Sequence, residues 1–471
     1  HCPHTGVYFV STHDLVVEVA KNEKLFSNKF ALMQSSDRQD RDEELHNIRK
    51  QGFPSVETML TQDPPEQRRY RSLCQKPFSA SSVARLEPYI AGLANELIDN
   101  FIDDGKCNWM NAFAVPMPVR MIAYILGVPI DDLDLFKEWS DASVYQFAAG
   151  QERQELLRTA QLVVDFQHYF AKKIEERKVT PTDDVLSDIV NSSADGQKPM
   201  DVPECLSVIS QLLVAGNETT TSTFAEGMHL LATHPEQLAK VQNDPSLVSN
   251  MVEEMLRLST PTTQMWRIAK EDTVLGGVEI PAGSTLMIKF GSANRDELVF
   301  DQSANFDVTR DNLKSQIAFG QGVHHCLGAP LARQELIVSW RVILERMTNF
   351  TLPAGEEELK FLPSLLLHGP VDLNIEFEKY LEDGIKIDAV MQDIQFHPVS
   401  DKILHVDFFQ LHPGKEISMI IPVKVEGTAP GVRDAGGLLS RNKRKLTVRA
   451  LPKNLPDFLL ADVSTLKLND S

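Results

Sequence analysis

Cysteine is scarce in this sequence, and long apolar runs are absent. Five cysteines are scattered over 471 residues, and no two of them form a Cys-x-x-Cys pair. This spacing argues against a zinc ribbon, a dithiol redox site or a disulfide framework, and we expect a reducing, cytoplasmic location. No apolar run is long enough to cross a membrane, and no signal segment opens the chain. We therefore expect no membrane association.

Charge is distributed unevenly along the chain. The formal net charge is −19, yet residues 380–471 carry 12 Lys+Arg and 12 Asp+Glu, so the whole acidic excess lies before them. An acidic surface repels nucleic acids and anionic membranes. The composition thus argues against such partners for the larger part and sets the tail apart from it.

Hydrophobic periodicity divides the chain in the same way. Asp201 and Asp244 each precede a proline-containing helix start, and Gly276-Gly277 marks a hairpin among strands expected between residues 265 and 310. We predict a mainly α domain with small β-sheets at 1–379 and a mostly β fragment at 380–471. Apolar residues at three- and four-residue spacing predict these helices: Arg85–Phe101, Arg153–Arg177, Val202–Thr233, Pro245–Leu258 and 326–347. Alternation predicts these tail strands: Ile417–Val425 and Leu446–Ala450.

The strongest chemical signal is Phe319-Gly-Gln-Gly-Val-His-His-Cys326, hereafter the cysteine loop. Gly320 and Gly322 permit backbone conformations that a tight loop against a flat cofactor needs. Cys326 is predicted to open the helix 326–347, where the positive helix end and free N–H groups stabilise a thiolate. A lone cysteine is more often an inert buried side chain, but the complete pattern favours a metal ligand.

At this loop the chain resembles the cytochrome P-450 family, soluble bacterial type, over about residues 1–379. The resemblance implies heme b (iron protoporphyrin IX) as cofactor, with Cys326 as the axial ligand of the iron. It also implies a monooxygenase that inserts one oxygen atom of dioxygen into a small apolar substrate. Since Val7–Val10 already looks like a strand, we expect the family's N-terminal start to be missing.

A second motif, Ala215-Gly216-Asn217-Glu218-Thr219, lies in the middle of the predicted helix Val202–Thr233. Gly216 could leave room for dioxygen, and Ala215 would face the substrate. The resemblance implies that Glu218 and Thr219 deliver protons to dioxygen, which is general acid work. The alternative is a polar kink, because glycine and threonine both weaken helices.

Glu254 and Arg257 match the family's Glu-x-x-Arg motif, and their spacing puts both charges on one helix face. Such pairs are usually solvated. The resemblance instead implies a buried structural pair completed by Arg310, with Asn305 standing where an arginine is common.

Basic residues should converge on the two carboxylates of the heme. The resemblance assigns His324, Arg71 and Arg267 to them, with Phe319 and the two loop glycines beside the cofactor. Gln67 stands where a histidine is common, and it can donate a hydrogen bond but no charge.

Three segments, about 33–60, 261–266 and 364–368, are expected on the substrate side. Thr263, Met265 and Leu366 predict a mostly apolar pocket, suited to a lipid-like or terpenoid molecule. The chain lacks a Gly-x-Gly-x-x-Gly fingerprint and a four-cysteine iron–sulfur pattern. The resemblance therefore implies a separate ferredoxin and an NAD(P)H-dependent ferredoxin reductase as electron donors.

The tail, from about residue 381, resembles the ribosomal protein L-25 family, which binds 5S ribosomal RNA. Met391–Pro398, Ile403–Phe408 and Gly427–Arg433 carry the likeness, which implies the last strands of an RNA-binding barrel and most of a second β domain. With most of the barrel missing, we expect no residual 5S rRNA binding. The simplest hypothesis is an artificial or misassembled chimera. The alternatives to the monooxygenase function are a ribosomal 5S rRNA-binding or structural protein, through the tail, and an inactive heme-binding chimera.

Overall fold

The protein divides into two compact units, His1–Tyr380 and Leu381–Ser471, which are described separately. The structure is a computed structural model. The residues that it describes are the following: 1–29, 42–145, 151–193, 196–355, 358–361, 364, 366–380, 389–396, 403–410, 417–440, 443–451, 454, 456 and 458–467.

Helices are the predominant secondary structure of the first unit, as the periodicity predicts. They are α1 His13–Lys21, α2 Glu43–Arg49, α3 Glu66–Cys74, α4 Ala80–Ala84, α5 Glu87–Asp99, α6 Pro116–Ile125, α7 Leu133–Tyr145, α8 Arg153–Val179, α9 Val185–Val190, α10 Val202–Thr233, α11 Pro235–Asn243, α12 Val248–Ser259, α13 Phe290–Ala293 and α14 Ala329–Arg346. The described part of the chain has no helix that is both long and apolar enough to cross a membrane.

Short strands form three sheets in this unit: β1 Tyr8–Val10, β2 Phe26–Ser27, β3 Lys106–Asn108, β4 Gln264–Ala269, β5 Thr273–Leu275, β6 Val278–Ile280, β7 Thr285–Lys289, β8 Met347–Thr351 and β9 Asn374–Lys379. Their orders are β1-β7-β4-β2, β3-β9-β8 and β5-β6. In the first sheet β1 is parallel to β7, and the other pairs are antiparallel. The predicted mainly α fold with small β-sheets is confirmed.

The long helix α10 forms the centre of the first unit. It begins with a capping box in which the Asp201 side chain accepts from the backbone of Glu204, and the Glu204 side chain accepts from the backbone of Asp201. Its middle and C-terminal parts are buried among aromatic side chains, including Trp340 of α14. A Cβ at Gly227 would lie 2.8 Å from the Met255 sulfur and 3.1 Å from the Trp340 ring, so glycine here lets α12 and α14 approach.

Two predicted helix starts were misplaced. The helix predicted from Pro245 begins at Val248, because Pro245–Leu247 forms a separate 3₁₀ turn. The helix predicted from Cys326 begins at Ala329, with Gly328 as its N-cap and Pro330 in its first turn. Proline lacks a backbone N–H. It therefore fits the first turn of a helix, where an N–H would have no acceptor within the helix.

The second unit consists of two small sheets and a short helix, α15 Pro430–Arg433. Strands β10 Ala389–Phe396 and β11 Ile403–Gln410 form an antiparallel pair. In the other sheet, β12 Ile417–Glu426 lies between β13 Lys445–Ala450, antiparallel to it, and β14 Leu459–Asp462, parallel to it. The predicted β character of the tail is confirmed.

Candidate active site

The cysteine loop is folded tightly upon itself. The Cys326 N–H donates to the Phe319 carbonyl at 2.9 Å, and the His325 N–H donates to the Gly322 carbonyl at 3.1 Å. Gly320 and Gly322 have φ of 68° and 74°, values that side chains with a Cβ rarely adopt. A Cβ on Gly322 would also collide with the Ala20 carbonyl of α1. Both glycines are therefore required by the loop's shape.

The Cys326 thiol lies against the start of α14. Burial raises the pKa of Cys326 above its ordinary value, although the backbone N–H groups of Gly328 and Ala329 and the charges of Arg71 and Arg333 act in the opposite direction. The backbone N–H groups at the start of α14 thus offset part of the rise in the Cys326 pKa, although the helix begins three residues after Cys326. A cation bonded to the sulfur would complete the stabilisation.

A cavity of about 280 Å³ separates the cysteine loop from α10. Cys326, Gly320 and Phe319 line one wall, and Ala215 with Gly216 of α10 lines another. A Cβ at Gly216 would collide with Ile122 of α6. The structure thus brings two motifs that are distant in the sequence to opposite sides of one space.

Three basic residues line one part of this cavity. Arg267, on β4, is 4% exposed, and its Nη1 donates to the Trp266 carbonyl at 2.7 Å. Burial lowers its pKa to about 10, which leaves the guanidinium charged at neutral pH. The Arg71 Nη1 donates to the His325 carbonyl at 2.6 Å. Burial and the Arg267 charge lower the pKa of His324 to about 4, and its Nε2 is buried without a hydrogen-bond partner among the described residues.

These residues fit heme b. Two guanidinium groups and an unpartnered ring nitrogen suit the two carboxylates of the cofactor, and the sulfur of Cys326 suits its iron. Gly320 lines the cavity as predicted for a residue beside the flat ring. Gly322 does not line it, contrary to its predicted place beside the cofactor, and leaves room for α1 instead.

Asp63 stands behind the basic residues, a role that sequence analysis missed. Its carboxylate accepts from the Ser27 hydroxyl at 2.7 Å, the Asn28 N–H at 2.8 Å and the Lys270 ammonium at 3.1 Å. Despite burial, these bonds lower the pKa of Asp63. Its negative charge favours the charged forms of Arg267 and His324. The Asp-Pro-Pro sequence before α3 was the available signal.

Gln67 has a different position from the one predicted. It is not among the residues that line the cavity, and its Nε2 donates to the Val323 carbonyl at 2.7 Å. Gln67 therefore holds the cysteine loop by its backbone instead of meeting the cofactor. Together with Arg71 it attaches α3 to the loop at two points.

Thr219 and Glu218 point in different directions. Thr219 lines the cavity, where its hydroxyl donates to the Ala215 carbonyl at 2.7 Å. Glu218 does not line it, because successive residues of an α-helix are about 100° apart. Burial and the charge of Asp141 raise the pKa of Glu218, and the charge of Lys137 lowers it. Both charged residues lie on α7, so the Glu218 carboxyl lies toward α7.

Glu254, Arg257 and Arg310 form a buried ionic cluster. The Glu254 carboxylate accepts from Arg257 Nε at 2.7 Å and Nη2 at 2.8 Å, and from Arg310 Nε at 3.1 Å. Glu254 and Arg257 are both 0% exposed. Arg257 also donates to the carbonyls of Asn294 and Ser303, so the cluster ties α12 to the chain that precedes the cysteine loop.

The substrate side is only partly as predicted. Ala215 and Met265 line the cavity, but Thr263 and Leu366 do not. The Thr263 N–H and hydroxyl instead donate to the Leu366 carbonyl, at 3.1 and 3.4 Å. Thr262 lines the cavity in their place. Of the first segment, 33–41 lies outside the described residues.

Glu335 of α14 is a cavity residue that sequence analysis missed. Burial raises its pKa to about 8, and its Oε1 has no hydrogen-bond partner within the described chain. Its sequence position gave no signal, because a glutamate in a helix is usually on the surface.

Comparison with known proteins agrees with this geometry. The family model for cytochrome P-450 matches residues 145–377. A cytochrome P-450 of Bacillus subtilis is 31% identical over 373 residues, which cover 79% of this chain and 88% of the relative. The chain belongs to the cytochrome P-450 family. It is a monooxygenase, and heme is its cofactor.

Other members of the cytochrome P-450 family match over a similar length. A steroid C26-monooxygenase of Mycobacterium tuberculosis is 32% identical over 372 residues, covering 79% of this chain and 95% of the relative. A solved cytochrome P-450 from Bacillus megaterium, in complex with testosterone, is 29% identical with a TM-score of 0.69, covering 80% of this chain and 94% of that one.

The tail matches two ribosomal models. The ribosomal L25p family matches residues 347–408, and the C-terminal domain of ribosomal protein TL5 matches residues 416–471. The first match overlaps the cytochrome P-450 match, but β8 and β9 pair with each other and β9 pairs with β3. Residues 347–379 are therefore part of the first unit's structure. The predicted combination of the two families is confirmed.

Proposed function

We propose that this chain oxidises a small, mostly apolar molecule of steroid-like or terpenoid type. The observation that carries the proposal is the cavity that Cys326 lines on one side and Gly216 and Thr219 of α10 line on the other. The rest of the wall is largely apolar, as such a substrate requires. Its apolar members include Met59, Leu60, Phe78, Ile122, Leu212 and Met265.

The relatives support this substrate class. One is described as a steroid C26-monooxygenase, and another was solved in complex with testosterone. Both match nearly the whole first unit, which supports a polycyclic substrate for this chain.

In the proposed reaction Cys326 ligates the iron, and Arg71, Arg267 and His324 hold the cofactor's carboxylates. When bound, heme supplies dioxygen activation, and a thiolate ligand favours cleavage of the O–O bond. The buried His324 Nε2 would donate a hydrogen bond to a carboxylate of the bound cofactor, and the two guanidinium groups would supply positive charge.

We propose that Thr219 delivers a proton into the cavity and that Glu218 then supplies a new proton to Thr219. The Thr219 hydroxyl lies on the cavity wall and can turn from the Ala215 carbonyl toward the cavity by rotation about χ1. Glu218 holds a proton more readily than an exposed glutamate because burial raises its pKa. From the α7 side it restores the Thr219 proton through water.

Electrons are proposed to come from a ferredoxin and an NAD(P)H-dependent ferredoxin reductase. Turnover with both proteins, testosterone and isotopically labelled dioxygen tests the proposal. The expected product contains one labelled oxygen atom, and the second label appears in water. A heme-loaded enzyme that consumes NADPH without forming labelled product would contradict the substrate class, and one that accepts no electrons would contradict the proposed donors.

A further inference from the structure

Gln211 is a polar side chain in the cavity wall, next to the apolar residues Leu212 and Met59 in the same wall. It lies on α10, four residues before Ala215 and eight before Thr219, so the three share one face of the helix. Ser207, a further turn back, accepts from the Val56 N–H at 2.9 Å. This face of α10 thus contacts Val56 and Thr58 near its start and lines the cavity at its middle.

Only one end of the Gln211 amide has a partner within the described residues. Its Nε2 donates to the Thr58 hydroxyl oxygen at 2.6 Å, and Thr58 is fully buried. Because Thr58 holds the nitrogen, the Oε1 oxygen remains as an acceptor on the cavity side. An amide oxygen that is covered by an apolar ligand without a hydrogen bond is costly.

We propose that Gln211 determines substrate specificity, its Oε1 accepting a hydrogen bond from a hydroxyl group of the substrate. The proposal rests on the proposed monooxygenase function and narrows its substrate class to apolar alcohols. Eight helical residues separate Gln211 from Thr219, about 12 Å along the axis. The hydroxyl is therefore anchored far from the reacting carbon, and oxidation falls at a position remote from the existing alcohol.

The test compares two ligands of equal size that differ in one donor. Dodecan-1-ol can donate a hydrogen bond, whereas methyl undecyl ether can only accept one. Calorimetric titration of the heme-loaded protein should show the alcohol binding roughly tenfold more tightly than the ether, the scale expected for one buried hydrogen bond. Equal affinities for the two ligands would overturn the proposal without any variant.

Variants test whether Gln211 is the residue that causes the preference for the alcohol over the ether. Gln211→Leu, similar in size but apolar, should abolish the alcohol's advantage, and Gln211→Glu, which keeps an acceptor, should restore much of it. In turnover of dodecan-1-ol, Gln211→Leu should raise KM with little change in kcat and spread oxidation along the chain. Gln161→Leu, an exposed change on α8, is the control and should leave the preference intact. An alcohol preference that survives Gln211→Leu would refute the assignment.

The outcomes separate this inference from the function on which it rests. A protein that takes up no heme, or that lacks the carbon monoxide spectrum of a thiolate-ligated heme, would contradict the monooxygenase itself. A protein with the normal spectrum and no alcohol preference would contradict only the role of Gln211.

Discussion

Removal of the Glu254 carboxylate should destabilise the first unit more than any exposed ion-pair substitution. Glu254→Ala removes the carboxylate that pairs, within the described residues, with the guanidinium of Arg257, 0% exposed, and that of Arg310, 9% exposed. It also removes the acceptor for the Asp307 N–H at 3.1 Å. Breaking a buried pair in this way typically costs about 3–5 kcal/mol. Because the cluster holds the chain before the cysteine loop, heme content should fall as well.

Urea unfolding followed by tryptophan fluorescence measures this change. All four tryptophans precede residue 380, so the signal reports on the first unit without contribution from the tail. The matched control is Glu155→Ala, which breaks an exposed pair with Arg158 at the same three-residue spacing and should cost no more than about 1 kcal/mol. If Glu254→Ala and Glu155→Ala lowered the free energy of unfolding equally, the reasoning about the buried cluster would be refuted.

Two further predictions concern residues that line or shape the cavity. Gly322→Ala should lower heme content and should reduce the free energy of unfolding more than Gly277→Ala does. Both glycines have positive φ, but only Gly322 lacks space for a Cβ. Equal losses of unfolding free energy would show that no collision occurs. For Glu335, whose pKa burial raises from 4.5 to about 8, the folded state keeps a proton that the unfolded chain releases. The free energy of unfolding should therefore fall by up to about 1.4 kcal/mol per unit as pH rises between those values. Glu335→Gln should remove this pH dependence of the free energy of unfolding. A pH profile that the substitution left unchanged would contradict the raised pKa of Glu335.

Local signals in the sequence predicted much of the fold. The helix Val202–Thr233 and its Asp201 cap have the predicted limits, because apolar spacing and a capping residue act within a few positions of one another. The limits of α14 were less accurate, since Pro330 moves the helix start away from Cys326. Beyond residue 380 the alternation of apolar and polar residues is weak, but it was enough to predict strands.

Side-chain direction was harder to predict than position. Glu218 and Thr219 are neighbours in the sequence, yet only Thr219 lines the cavity, because adjacent helical residues diverge. Gln67 binds the backbone of the cysteine loop, an interaction between segments that are 256 residues apart. Glu335 is buried only because other elements cover its helix. Such facts depend on tertiary packing, which spacing along one element does not encode.

The claim that Cys326 is the ligand of the heme iron is tested most directly by the carbon monoxide spectrum of the reduced protein. The wild-type protein should show the intense long-wavelength band for which the family is named, and Cys2→Ser should show it unchanged. Cys326→Ser should abolish the band, because a serine hydroxyl does not replace the thiolate. A Cys326→Ser protein that retained the band would contradict the account at its centre.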